Sequence, residues 1–450
     1  MKLHRRTILA ACIAAALSSA VLPVSAEPSA AAQTPVGLGE VRELALAKST
    51  VLRKAVLAYD AAALAGKAQD YKRLPSFGAS AGTTLDYLAD GSLAEGLGAS
   101  AKISVSQSVY DGGKLAAQSK SSSIAVEAAA VVVRGTRVEI IGQADAAFYT
   151  VLKAAATTEA AASDLEAASL RLRIARAKAE AGVIAQSDYL QAESEAAARG
   201  TALIKARTAL ASARAKLASM TGLPASCVLE PIDFSCYDGL LARLSSLDDV
   251  AVAELSGGYA DLAAEVNPGL AGYAIAARKA TIAVDVAKSA YLPGVSAGLS
   301  QGVAYDGTRG LSLGAGSISL TATMNLDLWS TSSSVKSAEI AAAMAELEGS
   351  AGAESLVLEL DVAVNGLLSA AQSIASLDKA LEYAESSYRN VLEKFTLSAA
   401  AASDLSAAEA LVSTARTGLI GARYDFLSAV SGLRGLVGLE GEDRIVAAMQ

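Results

Sequence analysis

The chain has one histidine and few aromatic residues. The histidine, His4, lies in a segment that we expect to be removed, which excludes Ser-His or Cys-His catalysis and metal binding through imidazole. Aromatic residues make up 4% of the 450 residues and hydrophobic residues 52%, so a large aromatic core is excluded. Alanine carries most of the apolar content, and such small side chains favour long helices packed side by side. With only 8 prolines in the chain, those helices can run uninterrupted.

The first 26 residues have the composition of an export signal. Three basic residues, Lys2, Arg5 and Arg6, precede an apolar stretch from Ile8 to Leu22. We therefore expect residues 1–26 to be a signal peptide and the mature protein to be exported. Its removal leaves 35 Lys and Arg against 46 Asp and Glu, a net charge of −11, which disfavours nucleic acid as a partner.

The three cysteines lack the CxxC spacing of a redox motif. Cys12 follows Leu9-Ala10-Ala11 as in a lipoprotein cleavage site, but the apolar run before it is shorter than usual, so lipidation of Cys12 stays open. Cys227 and Cys236 flank a proline-containing loop, and a pair so close in sequence can form a disulfide in an oxidising compartment. The alternative is two unpaired side chains; the disulfide is our expectation.

The sequence contains an internal repeat at an offset of 216 residues. Ser187-Asp188-Tyr189-Leu190 recurs as Ser403-Asp404-Leu405, and Gly222-Leu223 recurs as Gly438-Leu439. Between these anchors, large and small apolar residues follow a seven-residue period in both copies, which indicates a coiled-coil seam. A generic alanine-rich coiled coil would explain the period but not one offset shared by seam, turn and terminal Gly-Leu.

Each repeat is predicted to contain two strands, one long helix and a return helix. The first repeat spans 27–223, with helices at 37–73, strands at 77–88 and 98–109, a long helix at 114–181 and a return helix at 187–221. The second spans 259–439, with helices at 259–291, strands at 295–305 and 311–327, a long helix at 331–397 and a return helix at 403–437. A linker at 224–258 holds the cysteine pair, and a tail at 440–450 ends the chain. Ser49 and Asn267, the latter before Pro268, are predicted to cap helices.

The helix lengths predict a layout. In each half the long helix has about the combined length of the two shorter ones plus a gap of roughly 12 Å at 1.5 Å per residue. Each long helix can therefore pair with two shorter helices laid end to end. We expect residues 36–49, the linker at 224–258 and the C-terminus to gather at the gap.

The four predicted strands alternate apolar residues with Gly and Ser, the period of a sheet with one polar face. They are long enough to span a membrane, and aromatic residues suited to its interfaces stand at their ends: Tyr87, Tyr110, Tyr305 and Trp329. Four strands cannot close a barrel, and lipid does not tolerate open edges, so a membrane location requires several chains to share one barrel. The alternative is a soluble sheet with one wet face.

On these features the chain resembles the outer membrane efflux protein family, the TolC-like trimeric channel-tunnels, over nearly the whole mature length. The motifs that carry the resemblance, besides the repeat, are Leu74-Pro75, Leu292-Pro293, Val109-Tyr110-Asp111-Gly112-Gly113 and Asn267-Pro268. The resemblance implies a mainly α fold with membrane β-strands: a homotrimer with a 12-stranded barrel in outer membrane lipid and a large periplasmic helical tunnel. It also implies a passive conduit without a cofactor in a tripartite efflux or type I secretion system. The implied partners are a periplasmic adaptor and an inner-membrane pump of RND or ABC type.

The family places its helix turns at the periplasmic tip, where the tunnel narrows and the adaptor docks. The resemblance assigns adaptor docking to residues of both turns, namely Lys178, Gly182, Val183, Ile184, Lys394, Ser398 and Ala399. In a trimer, Asp188 and Asp404 would supply six carboxylates that form a cation-favouring gate. The alternative role, in which each Asp caps the helix after its turn, is compatible with the gate. Because Ser398 replaces a usual glycine and the basic residue of some members is absent, we expect no salt-bridged lock at the tip.

Other functions are weighed against the channel. A periplasmic adaptor would have one helical hairpin rather than two, and a structural coiled coil would leave the strands unexplained. An enzyme without histidine would need a carboxylate pair or a Ser-Lys site, whereas the acidic residues here are scattered along helix faces. The sequence therefore predicts a channel and not an enzyme.

Overall fold

A computed structural model describes residues 35–84, 98–306, 310–314, 316–397, 399–441 and 444–445. The helices of this part of the chain are α1 (Leu38–Lys48), α2 (Thr50–Tyr71), α3 (Lys114–Glu180), α4 (Gln186–Thr221), α5 (Asp238–Ser245), α6 (Asp249–Val266), α7 (Pro268–Lys288), α8 (Leu328–Thr396) and α9 (Ala402–Val437). Its strands are β1 (Ser76–Thr84), β2 (Gly98–Tyr110), β3 (Gly294–Asp306), β4 (Gly310–Leu313) and β5 (Ser317–Thr323). The predicted signal peptide, Tyr87 and Ser398 lie outside the described residues, as does most of the first hairpin turn.

Two long helices form the frame of the molecule. α3 has 67 residues and α8 has 69, and neither contains a proline. At 1.5 Å per residue each is about 100 Å long. α3 packs against α2 and α7 along one part and against α4 and α9 along the other, while α8 packs against α7 and α9. The predicted pairing of each long helix with two shorter ones is therefore present.

The predicted helix caps are confirmed. Ser49 Oγ accepts the Leu52 N–H at 3.1 Å and starts α2. Asn267 Oδ1 accepts the N–H groups of Gly269 and Leu270 at 2.6 and 3.1 Å, with Pro268 as the first residue of α7. These caps divide the predicted helices 37–73 and 259–291 into separate pieces, because each cap residue has left the helical conformation.

The linker and the two chain ends gather where the shorter helices meet, as predicted. Val36 pairs with Leu229 of the linker in a parallel bridge. The Tyr259 hydroxyl donates to the Ile445 carbonyl at 3.1 Å, and both side chains are fully buried. Asn267 Nδ2 also donates to the Leu436 carbonyl at 2.6 Å, which holds the end of α9 against the start of α7.

A buried charge cluster crosses this region. Asp145 of α3 is fully buried and receives hydrogen bonds from Arg42 of α1, at 2.6 and 3.0 Å, and from Ser431 of α9, at 2.7 Å. Arg434, also fully buried, lies 2.9 Å from Asp145. A carboxylate shared by two guanidinium groups is compensated, whereas removal of one partner would leave an unpaired buried charge. The cluster therefore fixes α1, α3 and α9 in one arrangement.

Two predictions are wrong, one for the linker and one for the last predicted strand. Cys227 and Cys236 are both free, so the predicted disulfide is absent. The loop ends are held by different neighbours: Leu229 pairs with Val36, whereas Phe234 packs edge-on against the Tyr424 ring, 5.5 Å between centroids. The strand predicted at 311–327 is divided into β4 and β5 and ends at Thr323, and α8 begins at Leu328 rather than at 331.

Among the described helices, α8 has the length and, along one stretch, the apolar composition that a membrane-crossing helix needs. The core helices of soluble proteins meet the same criterion, so this feature alone carries little weight.

Candidate functional site

The five strands form one antiparallel sheet at the end of the molecule where α2, α3, α7 and α8 begin or end. β1 pairs with β2, β2 with β3, and β3 with both β4 and β5. The β1 side and the β4–β5 side have no further partner strand among the described residues. The two predicted hairpins are thus joined, through β2 and β3, into a single sheet with two open edges.

The register separates the sheet into an apolar face and a small polar face. Phe77, Val105, Leu299 and Ile318 are paired in a row across the four strands and therefore share one face. The neighbouring row, on the opposite face, consists of Ser76, Ser106, Gly298 and Ser319. On the apolar face, Phe77 is 79%, Leu313 82% and Ile318 89% exposed. Nothing within the described chain covers this face.

A β-bulge places Tyr110 on the apolar face. The pairing passes from Ser108↔Ser296 to Tyr110↔Val295 and omits Val109. Without this extra residue, Tyr110 would share the polar face with Ser108. Tyr305, at the other end of β3, is paired with Ala99 on the apolar face.

The two tyrosines therefore bracket the apolar face. Eleven residues of β2 separate Tyr110 from Ala99, the partner of Tyr305. This is about 36 Å along the strand, or roughly 28 Å along the normal at a tilt of about 40°, close to the thickness of a membrane interior. Trp329, 89% exposed, lies just after β5, at the Tyr110 end.

The interruption between β4 and β5 is closed by side-chain hydrogen bonding. β4 ends at Leu313, opposite Val303, and β5 begins at Ser317, opposite Ser300, so the ladder is interrupted opposite Gln301 and Gly302. The Gly314 N–H donates to the Gly302 carbonyl at 2.9 Å, and Gln301 Nε2 donates to the Gly314 carbonyl at 2.7 Å. Gln301 lies on the apolar face, and its amide satisfies backbone that would be costly to expose to lipid.

The opposite end of the molecule holds the two helix turns. In the first, the Gly182 N–H donates to the Ala179 carbonyl at 3.0 Å and the Val183 N–H to the Lys178 carbonyl at 2.9 Å. With Gly182 at φ +68°, this is a Schellman motif. In the second turn the Ala399 N–H donates to the Lys394 carbonyl at 2.7 Å. This bond is equivalent to the one from Val183 to Lys178 in the first turn.

Asp188 and Asp404 are the third residues of α4 and α9, and both are exposed. The Asp404 carboxylate accepts the Ala401 N–H at 3.2 Å, so it satisfies a free donor at the start of α9. The N-cap residue of α4, Ala185, provides no side-chain cap, and Asp188 accepts a hydrogen bond from the Ser187 hydroxyl at 3.5 Å. The capping role therefore applies to Asp404, and the gate role is untested for both residues.

The tips of the two hairpins contact each other. Lys178 Nζ lies 4.8 Å from the centroid of the Phe395 ring, a cation–π contact between the ends of α3 and α8. A cavity of about 500 Å³ opens beside it. Its lining combines apolar residues from both turns, among them Val183, Ile184, Ala401 and Leu405, with two carboxylates, Asp188 and Glu195, and two basic residues, Arg171 and Lys178. Of the predicted docking residues, Lys178, Val183 and Ile184 line this cavity, whereas Gly182, Lys394 and Ala399 lie in the turns without lining it.

A network of charges joins the hairpins above the turns. Arg171 of α3 forms ion pairs with Glu195 of α4, at 3.2 Å, and with Glu409 of α9. The Ser406 hydroxyl donates to Glu195 at 2.6 Å. Arg171 precedes Lys178 by two helical turns, about 10 Å. Ion pairs therefore join the two hairpins above the turns, whereas the absence of a salt-bridged lock at the tip itself stays a prediction.

A second group of charged and polar side chains extends the network by one to two helical turns, in the direction away from the tip. Arg199 of α4 lies 3.6 Å from Asp164 of α3 and donates to the Ser413 hydroxyl of α9 at 3.2 Å. Ser413 in turn donates to Asp164. Each group therefore contains members from α3, α4 and α9.

Burial of the network perturbs one acid. Burial raises the pKa of Glu409 above its ordinary value, and Glu195 adds to the rise, whereas Arg171 and a hydrogen bond from Tyr388 oppose it. Burial also raises the pKa of Tyr388, so its hydroxyl keeps its proton and donates to Glu409. No spacing rule in the sequence relates Arg171 to Glu409, because the two residues are 238 positions apart.

Comparison with known proteins agrees with this architecture. The outer membrane efflux protein family matches residues 41–223 and 260–439. VceC of Vibrio cholerae is 17% identical with a TM-score of 0.73 over 89% of this chain and 96% of that one. CmeC of Campylobacter jejuni is 14% identical with a TM-score of 0.74 over 92% and 89% of the two chains. The open-state MtrE channel of Neisseria gonorrhoeae is 15% identical with a TM-score of 0.71 over 90% and 89%.

Comparison with curated proteins gives no match. The solved structures establish the fold, and the family model, which covers both repeats, establishes the kind of protein. The matching family and structures are channels rather than enzymes. The chain functions as a channel-tunnel of efflux in the outer membrane, with its helices in the periplasm. It belongs to the outer membrane efflux protein family.

Proposed function

We propose that three copies of this chain close one 12-stranded barrel in the outer membrane and that their helices continue it as a tunnel through the periplasm. The tunnel then meets a periplasmic adaptor and an inner-membrane pump, and it conducts whatever the pump delivers. The observation that carries the proposal is the sheet, which has two open edges and an apolar face that nothing in the described chain covers.

The open edges require neighbours. Unpaired backbone groups are costly in a bilayer, so the β1 edge of one chain must pair with the β4–β5 edge of the next. β1 runs antiparallel to β2 and β3 to β5, so alternation continues around a ring of such four-strand units. One unit is too narrow to close on itself, whereas three give an even-numbered barrel within the usual range.

The helices support assembly independently of the sheet. None of the α2 side chains is buried within the chain, although Leu57, Leu64 and Tyr71 stand seven residues apart on one face and are 64–67% exposed. α8 similarly exposes Ile340 and Leu347. Apolar residues repeated at this spacing indicate helix partners, which neighbouring copies would supply.

The tip supports docking of an adaptor. The cavity between the hairpin tips presents Val183, Ile184 and Leu405 beside Asp188, and could receive an apolar side chain next to a basic one. In the trimer, Asp188 and Asp404 would form a ring of carboxylates at the narrowest point, where it would favour cations. The pump would be of the RND or ABC type.

The proposal is tested by single-channel recording of the purified protein in a planar bilayer. Discrete conductance steps are expected, with a cation preference that Asp188→Asn and Asp404→Asn reduce together. Asp60→Asn, which removes an exposed carboxylate from α2, is the matched control and should leave the ratio unchanged. Failure of the folded protein to insert would contradict the channel, and unchanged selectivity in the double variant would contradict the gate.

A further inference from the structure

One basic residue of the strands, Lys102, has an unusual position. Among the strand residues that the structure describes, Lys102 is the only basic one, and the only acidic one is Asp306, the last residue of β3. It is exposed and lies on the small polar face, paired with Ser80 of β1 and Gly302 of β3. If the apolar face meets lipid, the polar face lines the lumen, and Lys102 extends into it.

The described residues next to Lys102 on the polar face carry no charge. Its neighbours on the same face of β2 are Ser100 and Ser104, and the residues paired with these are Gly82, Ala304, Gly78 and Ser300. Lys102 forms no ion pair or hydrogen bond with any described residue. Small neighbours leave the lumen open around the ammonium group.

The register also gives the depth of Lys102. The strands meet the helices at Ser76, Tyr110 and Gly294, so this end of the sheet faces the periplasm. Lys102 is four residues from Gly98 and eight from Tyr110, which is about 13 Å from the outer end of the described strand and about 26 Å from the periplasmic end. The charge therefore lies in the outer half of the barrel.

We propose that the three Lys102 ammonium groups of the trimer form a positively charged ring in the barrel lumen that determines ion selectivity in favour of small anions. The inference rests on the proposed trimeric barrel and adds a second filter to it. The ring would stand in series with the carboxylates of the tip, which have the opposite sign, so the selectivity of the whole pore is a balance between its two ends.

The strength of such a ring depends on salt. The Debye length is about 10 Å at 0.1 M and about 3 Å at 1 M ionic strength. Ammonium groups on the wall of a wide lumen therefore influence passing ions at 0.1 M and are screened at 1 M. Neutralising them is expected to raise the cation/anion permeability ratio by roughly two- to threefold at 0.1 M KCl, and not at 1 M.

The test is the reversal potential of single channels in a KCl gradient, for wild type, Lys102→Gln, Lys102→Glu and Lys102→Arg. The cation/anion ratio should rise in Lys102→Gln, rise further in Lys102→Glu and stay at the wild-type value in Lys102→Arg. Lys54→Gln, which removes an exposed lysine from α2, is the matched control and should change nothing.

Two results separate the possible failures. If the variants conduct but the ratio at 0.1 M is the same in all of them, the Lys102 ring is wrong and the channel stands. If the wild-type protein, folded, forms no pore, the proposed function itself fails. Should the Lys102 variants not insert, Ser100→Lys adds a charge on the same face beside an intact Lys102. It is expected to lower the ratio, and an unchanged ratio would overturn the inference.

Discussion

The two hairpins, α3–α4 and α8–α9, share a backbone hydrogen bond at their turns but have different side chains above them. Both turns close with the same bond, from Val183 to the Lys178 carbonyl and from Ala399 to the Lys394 carbonyl. The charged residues of the first hairpin, however, have small or apolar counterparts 216 positions later: Ser387 for Arg171, Leu411 for Glu195, Ala415 for Arg199 and Ala380 for Asp164.

The two repeats thus differ in the side chains of their hairpins although they share the turns. Backbone turns need only local hydrogen bonds, so both copies keep them. The charges instead serve contacts between the two repeats of one chain. There α9 supplies Glu409, Ser406 and Ser413 to partners on α3 and α4. Between the hairpins, Arg171 and Arg199 of the first contact Glu409 and Ser413 of the second, which makes this interface directional.

The largest expected effect on stability comes from replacing Arg171, which contacts both hairpins. Arg171→Ala would leave Glu195 and Glu409 facing each other without their shared cation, at a cost of about 2–4 kcal/mol. Ser387→Ala, the same change at the equivalent position of α8, should cost less than about 0.5 kcal/mol. Hydrogen exchange of the amides in both turns measures the loss. Equal protection in the two variants would mean that the network does not hold the hairpins together.

A smaller effect concerns pH. The pKa of Glu409 is raised in the folded protein, so the folded state binds its proton more tightly than the unfolded state. The associated stability is present below the ordinary value of 4.5 and is lost as the pH rises through the raised pKa. Glu409→Gln should therefore flatten the pH dependence of tip protection just above 4.5. The measurement is a pH series of hydrogen exchange at the tip. A profile with the wild-type slope would show that another group titrates there.

Alanine substitutions at Gly182 and Gly200 should change the stability of the fold in opposite directions. Gly182 has φ +68° and open space around it, so Gly182→Ala should cost about 1 kcal/mol through backbone strain alone. Gly200 lies within α4, also in open space, and Gly200→Ala should stabilise by about 0.5–1 kcal/mol. Thermal unfolding of both variants tests the contrast, and a stabilising Gly182→Ala would contradict the turn geometry.

The smallest effect separates the two lysines of the turns. Lys178 lies over Phe395, and Lys178→Gln should cost about 0.5–1 kcal/mol of contact between the hairpins. Lys394 is exposed and has no such ring beside it, because the residue that matches Phe395 in the first repeat is Ala179. Lys394→Gln should therefore be neutral. Exchange rates at the tips that rise equally in both variants would contradict the asymmetry.

Much of the fold could be predicted because its strands and helices follow regular periods in the sequence. Alternation gave the strands, the heptads gave the return helices, and Ser49 and Asn267 gave their caps. The strand ending at Thr323 was predicted four residues too long, because Met324 and Leu326 continue the alternation although the chain has left the sheet.

The site was predictable only in outline. Its turns were found from the repeat, but Arg171 and Glu409 are 238 positions apart, and no pattern in the sequence shows that they meet. The bulge at Val109 was missed for a similar reason, since the sequence continues the alternation through it. The predicted disulfide failed because sequence proximity of Cys227 and Cys236 carries no information on how their loop is anchored.

The most direct test of the trimeric barrel is the mass of the assembly extracted from outer membrane lipid, measured by native mass spectrometry together with detection of bound lipid. We expect three chains in one particle, and a fourfold decrease or more in trimer when Lys is placed at Ile318 on the apolar face. A folded, lipid-bound single chain, or a particle with a number of chains other than three, would contradict the shared barrel.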